Sequence, residues 1–175
     1  MRRGLDALYR ASGALAALFI VLICLVVAVQ VFFNLVTKVF GTQFSYTLPS
    51  YADFAGFFLA AASFLALAST LKAGSHIRVT LLISRLGPMP RVVVEVFSAL
   101  IGAALSGFST WYMARLNLDS LRFGDLSYGI IAIPIWVPQL GVTLGLGVLT
   151  VAFADIAIST LLRRAPVLVD QEGIE

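Results

Sequence analysis

Residues Phe54 to Leu71 read FAGFFLAAASFLALASTL and run directly into KAGSHIR, Lys72 to Arg78. About 18 residues pass without a charge, the length at which a helix crosses the hydrocarbon layer of a bilayer, and the run then breaks at a glycine among cations. A membrane helix ends there. The cations that follow, with His76 as the sole histidine of the chain, mark a headgroup surface, and the side of the membrane they occupy orients every other span.

The rest of the chain repeats the pattern. Of 175 residues, 60% are hydrophobic and 12% charged, too apolar a balance for an ordinary soluble domain. Arg2, Arg3 and Arg10 precede an uncharged stretch from Ala11 to Thr37, which is too long for the apolar part of a cleaved export signal and reads as a permanent span. The spans fall at about 11–38, 51–72, 91–115 and 134–162. The expected fold is an all-α integral membrane four-helix bundle, one membrane domain over 1–175. From Ser75 to Leu86, between spans 2 and 3, apolar and cationic residues alternate, which predicts a short interfacial amphipathic helix lying along the membrane.

Turn residues divide the spans. Gly41 to Pro49 forms a polar loop, after which Ser50 and Asp53 are placed to cap the second helix. Leu116 to Ile133, carrying Asp119, Arg122 and Asp125, reads as a loop on the same side, and Pro134 as the start of the fourth span. Gln30 and Asn34, four residues apart, share one helix face and should turn toward other helices rather than lipid. Gly141 and Gly145 are likewise four apart, a spacing that lets helices approach closely, and so are Gly102 and Ser106.

Charge sets the expected topology. Arg2, Arg3, Arg10, Lys72, Arg78, Arg85, Arg91, Arg163 and Arg164 collect on one side, against Lys38, Arg115 and Arg122 on the other. The positive-inside rule puts both termini and the His76 segment in the cytoplasm. Tyr46, Tyr51, Trp111, Tyr112, Tyr128 and Trp136 gather at the opposite interface, where aromatic rings anchor spans. The cations sit beside apolar runs, so their counter-charges are phospholipid headgroups and not nucleic acid.

Several chemistries are disfavoured. An ion path needs an ionisable group at depth, and the closest approaches, Glu95 and Asp155, lie within about two turns of the helix ends and read as interfacial carboxylates. Haem held between two histidines fails on a single histidine, and zinc at His76 lacks further ligands. One cysteine, Cys24, excludes an internal disulfide. No nucleophile elbow or phosphate loop is present, so the chain is read as neither an enzyme nor a cofactor carrier.

Two segments carry a resemblance. ASTLKAGSHIRVTLLISRLGP, Ala68 to Pro88, and FGDLSYGIIAIPIWVPQLGV, Phe123 to Val142, resemble the small membrane subunit of tripartite ATP-independent periplasmic (TRAP) transporters, the DctQ-like family. The likeness is most specific at Gly74 to Val79 and at Ile133 to Pro138, and it extends to the number and spacing of spans. It implies a subunit of a sodium-driven importer for organic acids in the bacterial inner membrane. The partners would be a large membrane subunit that holds substrate and ions and a periplasmic substrate-binding protein. Scaffolding and docking would fall to this chain, without cofactor or metal. The family often carries two acids at the start of the second span, and Tyr51-Ala52-Asp53 offers only Asp53.

On that reading the candidate partner or lipid contacts are Asp53, Lys72, His76, Arg78, Arg85, Arg91, Arg122, Asp125, Pro134, Trp136, Gly141 and Gly145. The alternative class is the membrane anchor subunit of an oxidoreductase, which would bring haem or quinone.

Overall fold

The computed structural model describes residues 2–41, 46–73 and 88–163. They form four helices: α1 Arg2–Phe40, α2 Tyr51–Lys72, α3 Pro88–Phe123 and α4 Trp136–Arg163. All four are long and apolar enough to cross a membrane. The interfacial helix expected over 75–86, with His76, Arg78 and Arg85, lies outside the described residues.

The helices begin and end where backbone chemistry allows. Pro88 and Pro90 open α3, and Pro138 sits in the first turn of α4, positions whose N–H groups have no partner within a helix. Gly41 and Gly124 stop α1 and α3 with positive φ of 89° and 67°, left-handed geometry that glycine adopts without steric cost. At the second stop the Asp125 N–H donates to Ser120 O at 3.1 Å, the bond that closes a Schellman turn. Several hydroxyls inside the spans bond to their own helix, as when Thr70 donates to Ala66 O at 3.1 Å and Thr150 to Leu146 O at 2.9 Å, while Ser12 crosses from α1 to donate to Leu65 O of α2 at 2.6 Å.

Packing follows the order α1, α2, α4, α3. The expected all-α membrane bundle is therefore laid out as an open row, with α2 and α4 inside and α1 and α3 on the flanks. Within the most apolar stretch of each helix, 28% of α2 and 33% of α4 is buried, against 11% of α1 and of α3. Small side chains allow the inner contact: a methyl group built on Gly141 would lie 2.6 Å from Ala61 Cβ, and one on Gly145 would lie 2.5 Å from the Phe64 backbone. The core along this row is rich in alanine, with Ala61, Ala62, Ala68, Ala99, Ala152 and Ala157 all buried.

Two helices run past the expected bounds. α1 has 39 residues and begins at Arg2, and α3 has 36 and continues to Phe123, so Leu116 to Phe123 is helix where a loop was expected. Hydropathy registers only the part of a helix that must sit in hydrocarbon, whereas the hydrogen-bonded ladder continues into the headgroup zone. Pro134 also departs from expectation. It precedes α4 and pairs with Leu126 in an isolated antiparallel bridge, so the fourth helix starts at Trp136.

Candidate functional site

The row has two polar ends. The terminal end holds the start of α1, the end of α2, the start of α3 and the end of α4; the loop end holds the two short connections. α2, with 22 residues, is about 33 Å long, so Lys72 and Tyr51 mark the two headgroup levels.

At the terminal end Lys72 is the hub. Its ammonium pairs with the Asp6 carboxylate, stands 4.0 Å from Asp155 Oδ2, and lies 4.6 Å from the centre of the Tyr9 ring. Two carboxylates thus share one ammonium over an aromatic face, and Arg10, whose Nε donates to Asp6 O at 3.3 Å, adds the second positive charge. Nearby, Thr160, fully buried, donates to Glu95 Oε1 at 3.2 Å. Asp155 and Glu95 are therefore engaged inside the chain at the end of the row. For Asp155, expected as an interfacial carboxylate, Lys72 is the cation and Ser159 a hydroxyl donor at 3.5 Å.

At the loop end neutral hydrogen bonds do the holding. Gln30, only 3% exposed, donates to Asn34 Oδ1 at 2.9 Å and accepts the Leu48 N–H at 2.9 Å, which ties the α1–α2 connection down. The inward face expected for the Gln30–Asn34 pair is occupied by Gln30; Asn34 is exposed. Ser50 was expected to cap α2. It stands instead in left-handed geometry (φ 57°, ψ 21°), makes no side-chain cap bond, and uses Oγ to accept the Ile131 N–H at 2.9 Å. A methyl group on Gly129 would collide with the Asp53 carboxylate and lie 2.9 Å from Ser50 Oγ. The α3–α4 connection is thereby docked onto the first turn of α2, and the Ser127 N–H donating to Ile133 O at 2.8 Å stiffens it.

Of the sequence-predicted contacts, Asp53, Arg122, Asp125 and Pro134 are exposed at the loop end, while Trp136 is half-buried there, its carbonyl accepting from Asn117 Nδ2 at 3.2 Å. Lys72 and the half-buried Arg91 lie at the terminal end. Gly141 and Gly145 face α2 of the same chain, so their close approach is intramolecular. Sequence reading missed Asp6, Tyr9, Gly129 and the Ile131 N–H. The available signals were the i, i+4 spacing of Asp6 and Arg10 and the absence of proline between Arg2 and the first span.

Outside the ends the surface is apolar. Leu15, Leu18, Leu25 and Phe32 on α1 are exposed, as are Phe97, Leu105 and Phe108 on α3. Among the described residues no three His, Cys, Asp or Glu side chains come together as metal ligands would.

Residues 23–164 match the family described as tripartite ATP-independent periplasmic transporters, DctQ component. No curated protein and no solved structure matches the chain.

Proposed function

The chain belongs to the DctQ component family of TRAP transporters, and on that premise we propose that it is the membrane scaffold on which the large subunit of a sodium-coupled organic-acid importer is held. Members of this family work with a large membrane subunit and a substrate-binding protein, and the family is one of transporter components rather than enzymes. Together with four apolar helices, this makes the chain a multi-pass protein of the bacterial inner membrane.

The observation that carries the proposal is the open row. In the most apolar stretch of each flanking helix only 11% of the residues are buried, while the charged groups of the described residues lie toward the ends of the helices. Such a body offers long apolar faces for another membrane protein and no ionisable group at mid-depth to carry ions itself. Substrate and sodium would then be handled by the large subunit. With both termini cytoplasmic, as the positive charges favour, the loop end faces the periplasm and presents Asp53, Arg122 and Asp125 to the binding protein.

Reconstitution tests this division of labour. Liposomes holding this chain and the large subunit, supplied with binding protein and a sodium gradient, should accumulate an organic acid, and liposomes holding this chain alone should not. Accumulation by the chain alone would overturn the proposal.

A further inference from the structure

The first helix is longer than the layer it crosses. After Arg10 the next charge on α1 is Lys38, 28 positions on, so the uncharged run measures about 42 Å against a hydrocarbon thickness of about 30 Å. The start of the run is fixed at one headgroup level, because Asp6, one turn before Arg10, pairs with Lys72 at the end of α2. Counted from Arg10 at an ordinary tilt of about 20°, roughly 21 residues cross the hydrocarbon, which then ends near Val31.

Packing against α2 gives the same boundary. Phe19 stacks on Phe58 with ring centres 5.7 Å apart, and Gln30 accepts the Leu48 N–H at 2.9 Å, so Gln30 already stands level with the residues that precede α2. From Val31 to Phe40 the helix continues for about 15 Å more, with the returning connection beside it, where the Tyr46 ring lies 6.2 Å from that of Phe33. A steeper tilt does not absorb this overhang. About 45° would be needed, beyond the range of spanning helices, and α2, packed on α1, would then reach across only about 23 Å and draw Asp53 or Lys72 into hydrocarbon.

The overhang is apolar on its outer side. Ala28, Phe32, Leu35 and Val39 are all exposed, the last three by 57–65%, and their spacing of four, three and four residues is the seam along which one helix packs on another. We propose that this seam seats a helix of the larger membrane subunit, one that crosses the hydrocarbon boundary beside α1 and continues outside it. The inference starts from the scaffold reading above and adds the surface by which the partner is held. Depth selects the occupant: a seam that begins in hydrocarbon at Ala28 and ends outside it at Val39 needs a partner that does the same. Lipid tails stop at the boundary, and a soluble protein begins only beyond it. The four positions carry no charge, as suits a permanent contact rather than a transient one.

The test uses the full-length tagged chain in its native membrane, with a benzophenone amino acid in place of Leu35 or of Val39. Illumination should join each position to a larger multi-span protein, identified by mass. Leu35→Glu gives a second readout: the larger protein recovered with the chain should fall about tenfold, while the melting temperature of the chain itself stays at the wild-type value, since Leu35 is exposed within it. Adducts with lipid, with a soluble protein or with a second copy of the chain would overturn the assignment, as would unchanged recovery in Leu35→Glu. Full recovery of the larger protein with no adduct to it at either position would remove the seat on α1 and leave the scaffold reading standing. Absence of any larger membrane protein from the extract would remove both.

Discussion

The two ends of the row are fastened by different physics. At the terminal end one ammonium is shared by Asp6 and Asp155 across an aromatic ring, while at the loop end Gln30, Ser50 and Gly129 hold two connections by neutral hydrogen bonds and close contact. Charges can rearrange as their surroundings change; the neutral bonds keep one register. The loop end is thus held by bonds that salt leaves largely alone, and the terminal end by charges that salt can screen.

Both ends rely on the inner pair of helices, and the largest effect should come from separating that pair. Gly145→Leu drives a side chain into the Phe64 backbone, which cannot yield without moving α2. The expected loss is about 3 kcal/mol, read as a lowered melting temperature in detergent. A wild-type melting temperature in this variant would mean that α2 and α4 are not in the contact described.

Lys72→Met and Ser50→Ala form a matched pair, one at each end. Lys72 is about one-third exposed, with a side-chain exposure of 36%, so its loss should cost about 1–2 kcal/mol, below the figure for a fully buried pair. Ser50→Ala removes one acceptor and should cost about 1 kcal/mol. Salt then separates them: in about 1 M salt the Lys72→Met deficit should shrink while the Ser50→Ala deficit stays. Equal salt response at the two positions would erase the contrast between the ends.

The contrast also shows what the sequence carries. Span positions were legible because hydrocarbon thickness imposes a minimum apolar length, and the runs at Ala11 to Thr37 and Phe54 to Leu71 meet it plainly. The inward face of Gln30 was legible for a similar reason, since an amide at depth must find a partner. Asp6 was not, because its partner Lys72 lies 66 residues away and only packing brings them together. Nor was Ser50: a serine before a helix reads as a cap, and nothing local reveals that Ile131 claims its hydroxyl from 81 residues away. The extension of α3 through Leu116 to Phe123 was hidden by Asp119 and Arg122, charges that a helix tolerates once it has left the hydrocarbon. Helix order, with α4 placed between α2 and α3, is a property of faces and not of any single run.

The claim that an open row of apolar helices serves a larger membrane partner is tested most directly by what leaves the native membrane with it. Gentle detergent extraction of the tagged chain, followed by mass measurement of the intact particle, should give a stoichiometric complex with a second, larger multi-span protein. Recovery of the chain as a stable particle free of any other membrane protein would contradict the account.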